Sequence, residues 1–380
     1  MTMRTPPRIS CAFDSGAIEV VSDRDPADLA VRLRADSHAD FRQWFHFRLQ
    51  GVRGQRARIR FVNAGQATYL EGWRGYQAVA SYDRETWFRV PTTYDGGELV
   101  VEHDVAQDSV YYAYFEPYSW ERHLALLGRA ASSPRARVID LGPTVEGRDM
   151  NLLVIGREGE GRKPLWVIAR QHPGETMAEW FVEGMLDRAL DAADPIAHRL
   201  LEQAVLYVVP NMNPDGSVRG NLRTNAAGAN LNREWQSPSR ERSPEVLAVR
   251  AAMEGSGVAG FLDVHGDEGL PYVFTDGNER LPSYSARMSA QERGFCAALE
   301  AANPDFQTVH GYPSDKETKV NLTVASKWVG HTFGTLALTL EMPFKDNANI
   351  PDTRNGWSGA RSRRLGRDTL TALHAILPSL

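Results

Sequence analysis

The sequence predicts an α/β protein built in two parts. An all-β antiparallel sandwich spans residues 1–118, and an α/β domain with its sheet buried on both faces spans 119–380. Three observations predict this. The first part holds short segments that alternate in polarity or are rich in aromatic residues. From about Glu121 the rhythm changes to near-continuous apolar runs interleaved with amphipathic stretches. Two histidines, His172 and His265, follow such runs directly, at the strand ends where buried sheets bind their ligands.

In the first part, residues 43–49, 57–62, 86–90 and 110–115 read as strands separated by Asn-Ala-Gly and Asp-Gly-Gly turns. That spacing predicts a sandwich of roughly seven to nine strands. Its many Trp and Tyr residues are read as filling a small core and its seam with the next domain. In the second part, strands are predicted over 138–141, 152–155, 165–169, 205–209, 260–264 and 335–340. Helices are predicted over 176–190, 244–253, 285–301, 322–331 and 362–377. Apolar strands interleaved with helices imply a sheet covered on both faces.

Composition narrows the functional classes. With 380 residues, 42% hydrophobic and 24% charged, the chain has the make-up of a globular protein with a sizeable core. A net charge of −5 argues against nucleic acid or an anionic membrane as a general partner. Cys11 and Cys296 lie too far apart in sequence to suggest a disulfide framework. No apolar run reaches membrane-spanning length, and residues 1–7 lack the apolar segment of a secretory signal. A reducing cytoplasm is the expected compartment.

The chemistry gathers in a few short stretches. His172 and Glu175 stand three residues apart after the run 165–169, and His-x-x-Glu supplies two ligands to a zinc ion. His265 follows the run 260–264 and is the best third donor. A long polar loop carries Asn-Pro-Asp-Gly at 213–216, then Arg223, and then Asn230, Asn232 and Arg233. Arginine forks among asparagines suit a carboxylate. Glu341 closes the apolar run 335–340, where burial raises a carboxyl toward neutrality and suits it to proton transfer.

Taken in order, His-Pro-Gly-Glu, Asn-Pro-Asp-Gly, Gly-Asn-x-Arg, Asn-Leu-Asn-Arg-x-Trp, Asp-x-His-Gly and a strand-terminal Glu closely resemble the zinc metallocarboxypeptidases. The resemblance is greatest to the cytosolic carboxypeptidase subfamily, which also carries an amino-terminal sandwich. Residues 114–119 (YFEPYS) and 144–148 (TVEGR) are similar to that subfamily's linker and early catalytic domain. The resemblance implies a carboxypeptidase-like α/β/α domain with a mixed sheet. It also implies one zinc ion per chain, held by His172, Glu175 and His265. Glu341 would take a proton from the attacking water and deliver it to the leaving amine. Arg223 would stabilise the oxyanion, and Asn232 and Arg233 would grip the carboxylate of a peptide or protein C-terminus.

Two departures stand out. Many relatives carry an aspartate where this chain has Asn230, the residue expected to bond His172. No tyrosine sits at the family's usual spacing before Glu341, and Tyr312 is chosen as the residue that caps the substrate. The subfamily's preference for removing glutamate would call for a cation in the pocket, from Lys316, Lys319 or Lys327; solvated surface lysines are the competing reading. Two other functions stay open at this point. One is a zinc amidohydrolase of the aspartoacylase or succinylglutamate desuccinylase type, acting on N-acyl amino acids. The other is a non-catalytic peptide-binding protein. Self-association through the sandwich is also left open.

Overall fold

A computed structural model of the chain describes residues 6–313 and 321–380. Among the described residues, ten strands form the first part: β1 Arg8–Ser10, β2 Glu19–Ser22, β3 Leu29–Arg32, β4 His46–Gln50, β5 Gln55–Phe61, β6 Val79–Ser81, β7 Phe88–Arg89, β8 Thr92–Tyr94, β9 Leu99–Val105 and β10 Ser109–Ala113. They make two five-stranded sheets, β1-β4-β10-β6-β7 and β2-β3-β5-β9-β8. Ten strands exceed the expected seven to nine because several are only two to four residues long and show no period-two signal. One pair also departs from the antiparallel rule. β3 and β5 run parallel, since β4 crosses into the other sheet between them. Between the sheets Phe45, Phe47, Phe61, Trp73 and Tyr112 are all buried.

The second part opens with α1 (Trp120–Ala131), capped by Ser119, whose hydroxyl accepts from the Arg122 N–H at 3.2 Å. Seven strands follow among the described residues: β11 Ala136–Pro143, β12 Asp149–Ile155, β13 Lys163–Ala169, β14 Ala204–Val209, β15 Gly260–Asp267, β16 Phe274–Asp276 and β17 Leu336–Pro343. Their order is β11-β12-β14-β13-β15-β17-β16. The central four are parallel and both edges are antiparallel, giving a mixed sheet. The other helices are α2 Met177–Ala189, α3 Pro195–Leu201, α4 Pro214–Arg219, α5 Pro244–Ser256, α6 Ala286–Ala302, α7 Ala325–Phe333 and α8 Gly359–Ile376.

Side chains alternate across the sheet. Leu165, Val167 and Ala169 of β13 face one core with Phe181 of α2, Phe295 of α6 and Leu373 of α8. Trp166 and Ile168 face the other with Val249 of α5 and Trp328 of α7. This two-sided burial is why those strands read as unbroken apolar runs.

Two positional expectations need correction. His265 and Glu341 lie inside β15 and β17 rather than at or beyond their ends. The two strands keep pairing through His265↔Glu341 to Asp267↔Pro343. The helix expected from residue 322 starts at Ala325. β16, α1, α3 and α4 were not among the predicted elements.

Candidate metal centre and substrate cleft

Three donors converge where β13 and β15 leave the core. His172 sits three residues past β13, Glu175 precedes α2, and His265 projects from β15. Their ligand-capable atoms lie within 4.8 Å of one another, and all three residues are buried. Glu175 Oε1 is 2.6 Å from His172 Nδ1, and Oε2 is 2.7 Å from His265 Nδ1. The far ring nitrogens face acceptors. His172 Nε2 is 3.1 Å from Asn230 Oδ1, and His265 Nε2 is 2.9 Å from Asp263 Oδ1. Burial holds His172 down at about 3, whereas for His265 the carboxylates of Asp263 and Glu175 outweigh burial and hold it well above its usual value, so metal binding there requires loss of a proton. Burial opposes ionisation of Glu175, but the two imidazoles outweigh it and keep the carboxyl well below its usual range. Two ring nitrogens and one carboxylate, with acceptors on the outer ring nitrogens, fit a zinc site.

The loop carrying these donors is braced from behind. Arg170 is buried in the left-handed region (φ 57°). Its Nε donates to the Pro173 carbonyl at 2.9 Å, and one Nη donates to the Tyr118 carbonyl at 2.9 Å and to Glu179 at 2.5 Å. Gln171 ties the loop to its neighbours, donating to Asp263 at 2.8 Å and accepting from the Trp235 indole at 2.8 Å.

The donors open onto a cleft of about 1550 Å³, also lined by Arg223, Asn232, Arg233, Tyr312, Lys327 and Glu341. Burial, against the pull of His265, holds Glu341 well above the usual carboxylate range. Its Oε1 accepts from the Tyr312 hydroxyl at 3.0 Å, and its buried Oε2 has no hydrogen-bond partner among the described residues. The Tyr312 hydroxyl also lies 2.8 Å from Asp267, although the residue is 47% exposed. Asn232 accepts from the Ala325 N–H at 2.9 Å and turns its amide nitrogen to within 3.3 Å of His265 Nε2. Arg233 donates to the Asn232 carbonyl at 2.7 Å. Lys327 pairs with Asp276 at 2.9 Å and bonds the Gly277 carbonyl. Lys316 and Lys319 lie outside the described residues.

Four residues of this site were given no role in the sequence reading, although Asp263 stands in the Asp-x-His-Gly motif. Asp263 had a signal: two residues before His265 on a strand, it shares that histidine's face. Glu268, buried and held well above its usual range by desolvation and by Glu175, had none. Tyr69 and Asp36 come from the sandwich. The Arg223 guanidinium lies over the Tyr69 ring, 5.4 Å from its centroid. Gly72 lets the sandwich close on Glu268, since a Cβ there would meet the Gln43 amide nitrogen at 2.7 Å and the Glu268 Cβ at 3.1 Å.

Known proteins resemble both parts. The profile of the cytosolic carboxypeptidase N-terminal domain matches residues 9–115, and that of zinc carboxypeptidase matches residues 124–355. A metallo-carboxypeptidase crystal structure from Burkholderia cenocepacia is 54% identical with a TM-score of 0.97, covering 98% of this chain and 100% of that one. A metallo-carboxypeptidase from Pseudomonas aeruginosa, solved with (2-guanidinoethylmercapto)succinic acid, is 47% identical with a TM-score of 0.94, covering 98% of this chain and 99% of that one. Mouse cytosolic carboxypeptidase 6 is 28% identical over 70% of this chain, which spans only 54% of that relative's length. Among the described residues, no helix is long and apolar enough to cross a membrane.

Proposed function

From the premise that this chain belongs to the zinc carboxypeptidase family and is a peptidase, we propose that it is a zinc-dependent exopeptidase removing single residues from peptide or protein C-termini. The observation that carries this reading is the convergence of His172, Glu175 and His265 on one cleft with Glu341 and Arg223. Zinc held by the three donors would supply the positive charge that polarises the scissile carbonyl and acidifies the attacking water. Glu341 accepts the proton of that water and returns it to the leaving amine. Arg223 donates to the oxyanion as it develops. Asn232 and Arg233 hold the terminal carboxylate, and the Tyr312 hydroxyl sits beside Glu341, where it closes over the bound residue.

Peptides with a free or an amidated C-terminus, offered with and without a chelator, test the reading alongside metal analysis. The expected result is one zinc per chain and release of the last residue from the free acid only, abolished by the chelator. Equal cleavage of the amidated peptide would rule out the carboxylate grip. The match of both parts to carboxypeptidase profiles favours this substrate class over N-acyl amino acids.

For the side chain removed, we infer a preference for glutamate, supported by the resemblance to the cytosolic carboxypeptidases and by Lys327 in the cleft wall. Asp276 shares that lysine, so the expected preference over Phe is about fivefold or less, within what one shared ion pair supplies. Parallel peptides ending in Glu, Phe and Lys measure it, and no excess of glutamate release removes this part alone. A cytoplasmic location belongs to the same proposal and is supported by the mouse relative's name.

Asn230 supports His172 through a neutral oxygen. Asn230→Asp is expected to leave zinc affinity equal or up to about tenfold higher, as a carboxylate acceptor makes the imidazole more basic. Competition with a chromogenic chelator reads this directly, and a large loss of affinity would refute the assignment.

A further inference from the structure

We propose that the sandwich is part of the catalytic apparatus, and that Asp36 is the residue through which it positions Arg223. The proposal rests on the oxyanion role given to Arg223 above.

Asp36 follows β3 and is 7% exposed. Its carboxylate reaches across the domain seam to three successive backbone amides, the N–H groups of Leu222 (2.5 Å), Arg223 (2.8 Å) and Thr224 (2.9 Å). The Thr224 hydroxyl adds a fourth bond at 3.0 Å. Successive amides converge on one acceptor only when the backbone between them curls into a concave anion-binding turn. The carboxylate therefore fixes the backbone from which Arg223 departs. The other end of that side chain meets the sandwich again, with its guanidinium 5.4 Å from the Tyr69 ring centroid and 6.0 Å from that of Phe41. Backbone and guanidinium of one arginine are thus both held by the neighbouring domain.

Asp36 is not needed merely to join the domains, because the seam has other anchors. Arg89 donates to the Phe344 and Trp357 carbonyls at 2.9 Å each and to the Asn355 carbonyl at 3.1 Å. Tyr114 stacks on Phe344 with centroids 4.6 Å apart. With those contacts in place, loss of Asp36 leaves the domains docked and Arg223 misaimed.

The test is a double-mutant cycle on the zinc-loaded full chain. Arg223→Ala is expected to lower kcat about a hundred- to a thousandfold, as loss of an oxyanion donor does. Asp36→Asn should lower kcat about ten- to a hundredfold, the scale of a small misplacement, with KM and zinc content near the parent's. In the Arg223→Ala background Asp36→Asn should cost under about twofold more, since the group it positions is gone. Calorimetry supplies a second readout. Affinity for a phosphinic peptide, which mimics the tetrahedral state, should fall with kcat, while affinity for a product-like peptide acid holds. Additive losses, or a loss confined to KM, overturn the proposal. A fully active Arg223→Ala enzyme overturns the role of Arg223 itself, a different failure. Should Asp36→Asn not fold, Thr224→Val removes one of the four bonds and carries the same test. The expected loss in kcat is about fivefold, the worth of one hydrogen bond, again absent without Arg223.

Discussion

Glu341→Gln is expected to bind zinc and peptide as the parent does and to hydrolyse about a hundred- to ten-thousandfold more slowly, the usual contribution of a general base. The amide has nearly the volume of the carboxyl, so the buried position on β17 is not disturbed sterically. Its oxygen still accepts from the Tyr312 hydroxyl, which stands 3.0 Å from Glu341. What disappears is the second oxygen, Oε2, buried and without a hydrogen-bond partner among the described residues. An unpaired carboxylate oxygen is costly to bury, and it belongs to a residue that lines the cleft. Steady-state kinetics with matched zinc analysis decide the matter. Unchanged hydrolysis would show that another group moves the proton.

The other large effect is expected at Glu175. Glu175→Gln should leave the purified protein without stoichiometric zinc and with activity at background. Both carboxylate oxygens are engaged, each against an imidazole Nδ1, at 2.6 and 2.7 Å. An amide keeps one acceptor, introduces a donor on the other side, and removes the negative charge that partly offsets the ion. Oxygen ligation by a neutral amide is a poor substitute in a site of this type. Mass spectrometry of the intact protein under native conditions reads occupancy. A second prediction is built into the experiment, because zinc should raise the Tm of the parent and leave that of the variant unchanged. Full occupancy in Glu175→Gln would mean that the ion is held elsewhere.

Much of the catalytic half was legible because its signals are local. His172 and Glu175 lie three residues apart, and β13, β15 and β17 announce themselves as apolar runs with both faces buried. Asn213 shows the limit of local reading. Asn-Pro-Asp-Gly marks a turn, but the same residues cap a short helix, and the Asn213 side chain accepts from the Gly216 N–H at 3.1 Å to start α4. β16 spans only three residues, too few to reveal a period. The remaining gaps are matters of distance along the chain. Asp36 meets Leu222 across 186 positions, and nothing near either residue in sequence names the other. The same holds for Tyr69 and Arg223, which meet only when the two domains dock.

The brace behind the metal loop has a kinetic consequence. Arg170 holds its unusual backbone conformation through contacts with Pro173, Tyr118 and Glu179, none of which involves a metal ion. A socket braced in this way would be shaped before a cation arrives, with little chain entropy left to be spent at capture. Metal-free protein should recharge at the speed of diffusion and ligand exchange, with no slow refolding phase.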